Sequence, residues 1–285
     1  MRARRWLALG AAAVAGGLVV RSLRAHERRL DRQFGDLVVS LALRGASAPK
    51  ADGGPPIITV VIPAYNEAEA IVGVLAELPR ELLGHCVEPV VVVDGGTDGT
   101  ADVARAAGFT TLVHPVNRGQ GDALRTGFAY AQRRGAAIVM TMDADGQHRP
   151  EDMASLVEPI VAGEADYVQG SRFLGAYDDA GSARDVGIRC FTGLINLVSR
   201  AGQTDCTNGF RAIRVSSLAQ MHLEEPRFSA PEIIIEAARR GLRMREVPVH
   251  IRARSHGESK KPRRLGYPLG FLGVISRTAS RGPMS

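Results

Sequence analysis

The chain alternates between two periodicities. Short β-branched runs at Ile57 to Ile62, Pro89 to Val93, Thr110 to Val113, Ala137 to Met142 and Asp166 to Val168 predict strands. Between them, Glu67 to Leu78, Ala101 to Ala107, Gly121 to Arg134 and Pro150 to Ala162 carry apolar residues at helical spacing and predict helices. Such alternation predicts an α/β fold, a mostly parallel twisted sheet with helices on both faces. Ala48 to Pro56 (APKADGGPP) is rich in Pro and Gly and predicts a linker over 48–56, so one folded domain is expected over 57–262.

The two ends break this pattern. Trp6 to Val20 is an uncharged run of fifteen residues. As a helix it reaches about 22 Å, short of a hydrocarbon core of roughly 30 Å. For residues 1–47 three readings stay open: a membrane anchor whose flanking arginines snorkel, an interfacial helix, or a cleaved signal peptide. In the tail, 263–285, the weakly polar stretch Leu265 to Ile275 follows Lys260, Lys261, Arg263 and Arg264. It reads either as a membrane-surface segment, too short to span, or as a buried terminal helix.

Charge sharpens the picture. The formal net charge of +6 is carried by the ends: residues 1–54 hold ten Lys/Arg against four Asp/Glu, and 250–285 hold eight against one. The middle, 55–249, is acidic, with eighteen against twenty-five. Basic ends around an acidic body fit contact with an anionic membrane surface and argue against a nucleic-acid partner. An acidic centre suits a cation. Cys86, Cys190 and Cys206 have neither CxxC spacing nor scaffold density, which excludes a disulfide framework and a zinc site from the expectation.

Sheets of this type bind ligands beyond the carboxyl ends of their strands. The residues following the predicted strands are polar: Pro63-Ala-Tyr-Asn-Glu67, Asp94-Gly-Gly-Thr-Asp98-Gly-Thr100, Asp143-Ala-Asp145-Gly-Gln147-His148 and Gly170-Ser-Arg172. Asp143 and Asp145, two apart just past a strand, can both face a hard cation such as Mg²⁺ or Mn²⁺, with Gln147 as a third oxygen. The plainer alternative is a helix cap in an Asp-Gly turn.

These segments, with DCTNGFR at 205–211 and RARSHGESK at 252–260, occur in the order and spacing of glycosyltransferase family 2. The chain resembles the branch of dolichyl- and polyprenyl-phosphate mannose and glucose synthases over about residues 57–262. The resemblance implies a GT-A fold and a single catalytic domain that transfers a hexose, with inversion, from a nucleotide diphosphate sugar of the GDP-mannose or UDP-glucose class. It implies that Pro63, Tyr65, Glu67 and Asp94 hold the nucleoside, although packing for Tyr65 and helix-dipole stabilisation for Glu67 remain alternatives. Asp143, Asp145 and Gln147 match the cation site.

The same resemblance gives Arg172, and with it Arg184, Arg189 and Arg211, to the phosphate of a polyprenyl-phosphate acceptor. Arg254 and Lys260 resemble a late loop over diphosphate and acceptor, or belong to a basic membrane-facing tail. Asp205 matches an acidic residue near the acceptor: it positions groups if the nucleophile is a phosphate oxygen, and is the candidate base if the acceptor is a hydroxyl on a saccharide, glycerolipid or small molecule. Glu232 is a further acidic match, or a helix-start carboxylate. The segment DGGTDGT is one residue shorter than the family pattern and has Gly95 at its second position. A nucleotidyltransferase would want a Gly-rich GGxGxR loop after the first strand, where this chain has PAYNE. Nucleotide sugars being cytosolic, the expected location is membrane-associated, with the catalytic domain on the cytoplasmic face.

Overall fold

The computed structural model describes residues 54–178, 183–253 and 266–281, together with 29, 33 and 35–40. The run 6–20 and residues Arg254 and Lys260 lie outside the described residues. Among the described residues no helix is long and apolar enough to cross a membrane.

Eight strands form one sheet: β1 (Ile57–Ala64), β2 (Glu81–Leu82), β3 (His85–Asp94), β4 (Thr110–His114), β5 (Ile138–Thr141), β6 (Tyr167–Tyr177), β7 (Arg211–Arg214) and β8 (Met244–Ile251). The order is β2-β3-β1-β5-β7-β6-β8, with β4 also paired to β3. The pairs β1–β3, β1–β5, β3–β4 and β6–β8 are parallel. The expected mostly parallel sheet is therefore mixed: β7 runs antiparallel between β5 and β6. That reversal brings the start of β7 beside the carboxyl end of β5, with Arg211 in register with Thr141.

Helices α1 (Ala68–Ala76), α2 (Thr100–Ala106) and α4 (Met153–Val161) cover one face; α3 (Gln120–Arg133), α5 (Ala183–Ser199), α7 (Ser229–Arg239) and α8 (Gly266–Ala279) cover the other, and α6 (Val215–Leu218) is a single turn after β7. Strand β1 shows why. Ile58, Val60 and Ile62 enter one apolar cluster, and Ile57 and Val61 enter the other, so both faces are buried and the run is apolar but for Thr59.

Of the Leu265 to Ile275 stretch, the described residues from Gly266 on belong to helix α8, whose Phe271 and Ile275 pack into the second cluster and whose Val274 is nearly fully buried, as the buried-helix reading expects. The helical residues 35–40 also dock on the body. Val39 is fully buried, and the Arg133 guanidinium donates to the Asp36 carbonyl and carboxylate and to the Ser40 hydroxyl, each at 2.9 Å.

Asp166 ties β6, β7 and β8 together at the opposite edge of the sheet from the crevice. Arg243 donates to it from Nε and Nη2 at 2.9 and 2.8 Å, and Arg214 adds a contact at 3.4 Å. The Arg243 hydrogen bonds, outweighing burial, hold its pKa down at about 2. A depressed carboxylate contributes stability that is present above its unfolded pKa, about 3.9, and is lost as pH falls through the folded value. Arg243→Ala is expected to lower the melting temperature only slightly near neutrality, because Arg243 is exposed, with melting curves of variant and parent converging between pH 4 and 2.

Candidate active site

Beyond the carboxyl ends of β1, β3 and β5 lies a crevice of about 260 Å³. Pro63, Tyr65 and Glu67 come to it from the β1–α1 loop, Asp94 from the end of β3, Asp143 and Asp145 from the β5–α4 loop, and Arg211 from β7. These seven expected residues are brought together. Asn117, Gln120, Ala123, Leu124, Thr207, Gly209, Ser229 and Ala230 also line it, residues to which the sequence assigned no individual role.

The end of the crevice nearest Tyr65 is tied together by loop-to-loop hydrogen bonds. The Thr97 amide donates to Asn66 Oδ1, the Ala68 amide to Asp98 Oδ2 and the Glu67 amide to Thr100 Oγ1, each at 2.9 Å. Tyr65 is 40% exposed and so presents ring surface to the crevice. Asp94, nearly buried, accepts from His114 Nδ1 at 2.8 Å and from the Arg118 and Gly119 amides at 2.9 and 2.7 Å. Burial alone would raise its pKa, but those hydrogen bonds prevail and the net direction is down. The glycine at the second position of the DGGTDGT loop has a steric reason. Gly95 has φ +68, and a Cβ there would meet the Asn117 nitrogen and the Val116 carbonyl carbon at 2.3 Å, so no side chain fits where the family carries one.

His148, quoted in the motif but assigned no role, organises the loop that carries Asp143 and Asp145. Its Nδ1 accepts from the Asp143 amide at 3.0 Å, which obliges Nε2 to carry the proton and donate to Asn208 Oδ1 at 3.0 Å. The ring stacks on Phe210 at 4.7 Å, while Asn208 donates to the Gly170 carbonyl at 2.9 Å. The loop carrying the two aspartates is thus clamped to the 205–211 loop. Both motifs were legible, but their contact spans sixty positions and had no local signal.

The donor set fits a hard cation. Two carboxylates face one crevice, and Gly209 leaves room for one of them, since a Cβ there would sit 2.7 Å from Asp143 Oδ1. Among the described residues no three His, Cys, Asp or Glu side chains gather closely enough to form a complete cage. Two protein carboxylates with further oxygens from a substrate diphosphate and water suit Mg²⁺ or Mn²⁺. Gln147 departs from the expectation. It is absent from the crevice wall and its Nε2 donates to the Arg252 carbonyl at 3.1 Å, because the loop is stitched to the end of β8.

Arg172 and Asp205 also depart from it. Gly170 to Arg172 lie inside β6 rather than after it, and neither Arg172 nor Asp205 lines the crevice. They form a buried pair instead: Arg172 Nε donates to Asp205 Oδ2 at 2.6 Å, and the Thr207 amide and hydroxyl donate to Oδ1 at 3.2 and 3.1 Å. Arg189 lies over the Phe173 ring at 4.1 Å, and the side chain of Arg184 is outside the described residues. Glu232 accepts from the Glu224 and Glu225 amides at 2.8 and 2.9 Å and from Arg281, and belongs to the scaffold.

The model of glycosyl transferase family 2 matches residues 59–221. An undecaprenyl-phosphate mannosyltransferase of Micrococcus luteus is 32% identical over 71% of this chain and 86% of its own length. A UDP-N-acetylglucosamine–dolichyl-phosphate N-acetylglucosaminyltransferase of Methanococcus voltae is 29% identical over 68% and 84%. Among solved structures, glucosyl-3-phosphoglycerate synthase of Mycobacterium tuberculosis, in complex with Mn²⁺, UDP and phosphoglyceric acid, superposes with a TM-score of 0.62 at 21% identity, covering 86% of this chain and 82% of that one. The superposition shows the GT-A fold.

Proposed function

The chain belongs to glycosyltransferase family 2, and on that premise we propose that it transfers a hexose, with inversion, from a nucleotide diphosphate sugar to the phosphate of a polyprenyl lipid. The observation that carries this reading is the crevice itself: paired carboxylates, Asp143 and Asp145, beside the buried guanidinium of Arg211, with an aromatic and acidic nucleoside end beyond. Relatives named for undecaprenyl- and dolichyl-phosphate acceptors support the lipid phosphate.

Pro63, Tyr65, Glu67 and Asp94 line the end that would take the nucleoside, the Tyr65 ring offering a face for the base. A Mg²⁺ or Mn²⁺ ion on Asp143 and Asp145 would neutralise charge on the departing nucleoside diphosphate. An acceptor phosphate oxygen forms the bond to the anomeric carbon as the bond from that carbon to the diphosphate oxygen breaks, and the electron pair leaves with the diphosphate. The nucleophile is already ionised at neutral pH, so no protein base is required. That agrees with Asp205, whose two oxygens are engaged by Arg172 and Thr207 and whose role is positioning.

Arg254 and Lys260 are proposed to close over the diphosphate and acceptor. Residues 1–47 are proposed to attach the domain, with its basic ends, to the cytoplasmic face of a membrane, where nucleotide sugars are available.

The test is a donor screen with membranes, added cation and radiolabelled GDP-mannose, UDP-glucose and UDP-galactose, followed by lipid extraction. The expected product is organic-phase label stable to alkali and labile to mild acid; label confined to the aqueous phase would refute the acceptor. A second expectation comes from Gly209. Gly209→Ala meets only the movable end of Asp143, so the fold should persist while cation-dependent donor affinity falls roughly tenfold or more, as titration calorimetry would read.

A further inference from the structure

The turn that precedes α7 is held from two helices. From α7 itself, Glu232 accepts from the Glu224 and Glu225 amides at 2.8 and 2.9 Å, and Glu236 accepts from the His222 amide at 3.1 Å. From the C-terminal helix α8, Arg277 donates through Nε and Nη2 to the two carboxylate oxygens of Glu225, both at 2.8 Å. Such a fork fixes the direction of the carboxylate as well as its distance. Glu225 is 8% exposed, and its other cationic neighbour, Arg281, stands off at 3.8 Å.

What this turn presses against is the entry to α3. The Pro226 carbonyl accepts from the Gly121 amide at 2.8 Å. A Cβ at Gly119 would run into the Pro226 carbonyl oxygen, and one at Gly121 into that of Glu225, so the two backbones meet with no side chain between them. The entry to α3 in turn serves the crevice. The Arg118 and Gly119 amides hold the Asp94 carboxylate, Asn117 and Gln120 line the wall, and Gln120 Nε2 donates to Asp143 Oδ1 at 3.3 Å. Backbone packed on backbone transmits strain instead of absorbing it, so a displacement at Glu225 reaches Asp94 and Asp143.

We propose that Arg277 is a positioning residue for the donor: by fixing Glu225 it braces the 224–226 turn against Gly119 and Gly121, and so holds Asp94 and Gln120 in place for a nucleotide diphosphate and its cation. This rests on the donor reading above. Neither Arg277 nor Glu225 lines the crevice, and the family match ends at residue 221, short of both. Helix α8 thereby contributes to donor binding in addition to covering the second apolar cluster.

The test uses the full chain, with UDP and GDP, each with Mn²⁺, as probes. Arg277→Met removes the fork; because the Arg277 side chain is 56% exposed, the melting temperature should fall only slightly. In the ligand-free variant the Arg118, Gly119 and Gly121 amides are expected to exchange with solvent roughly three- to tenfold faster, and affinity for nucleotide with Mn²⁺, by calorimetry on folded protein, to fall by a similar factor. Donor KM should rise with it, while kcat and acceptor KM stay within about twofold, a split that a purely structural loss would not produce. Glu225→Gln should give the same changes, and the double variant no more than either single, because both act through one contact. Arg277→Lys keeps the charge without the fork; it should fall between the parent and Arg277→Met, and it carries the test if Arg277→Met does not fold. Unchanged exchange at the three amides would overturn the proposal, and so would unchanged nucleotide affinity, additive losses in the double variant, or equal losses of donor and acceptor affinity. If the parent itself binds neither nucleotide with Mn²⁺, the functional reading falls, and the exchange rates still decide whether Arg277 braces the entry to α3.

Discussion

Replacing both Asp143 and Asp145 with alanine is expected to lower kcat/KM by roughly a thousandfold or more while the chain stays folded. The two carboxylates line an open crevice and belong to neither apolar cluster, so their removal leaves no void in the core. The apo double variant should therefore melt no lower than the parent. Cation with nucleotide is the sharper readout. Ligand that binds only the native state stabilises by about 2.7 kcal/mol at a hundred times its Kd, so the parent's melting temperature should rise with UDP and Mn²⁺ together. The double variant should show no such rise. A variant that kept both turnover and the cation-dependent shift would remove Asp143 and Asp145 from the reaction.

Asp205→Ala is expected to destabilise the protein by about 3–5 kcal/mol, on the order of 10 °C in melting temperature, by leaving Arg172 buried without its partner. Asp205 is fully buried and Arg172 is 8% exposed, so neither group can recover its loss from water. Asp205→Asn keeps an acceptor oxygen for Arg172 and should restore most of the stability, with kcat within about tenfold of the parent. A general base would behave otherwise: Asp205→Asn would then stop turnover in a protein of near-normal stability. Removing the opposing charge as well, in Asp205→Ala with Arg172→Met, should recover part of the loss, since a buried ion pair is replaced by apolar packing with little net cost. Circular dichroism melts and acceptor kinetics on the same preparations separate the two roles.

Much of the molecule is legible in its residues. Predominantly apolar, β-branched runs such as Ile57 to Ile62 specify strands buried on both faces, and amphipathic spacing over Gly121 to Arg134 specifies the helix beside them, because burial depends on a local period. The parallel connections then put whatever follows β1, β3 and β5 at one rim, so Pro63, Asp94, Asp143 and Asp145 could be assembled from the chain alone. The paired carboxylates carried their chemistry with them.

Tertiary structure decided what those residues have as partners. Nothing local shows that β7 runs backwards between β5 and β6, yet that reversal carries Arg211 to the crevice and leaves Arg172 inside β6, paired with Asp205. Gln147 turned to the end of β8, and His148 became the clamp on Asp143, through contacts with residues about sixty and a hundred positions away. The C-terminal run was equally compatible with a lipid surface and a protein core until α8 was seen against Phe191 and Phe228. Periodicity reports which face of an element is apolar, and residue type reports what a side chain can do. Whether a charge meets a substrate or a neighbouring carboxylate depends on distances that only the folded chain sets.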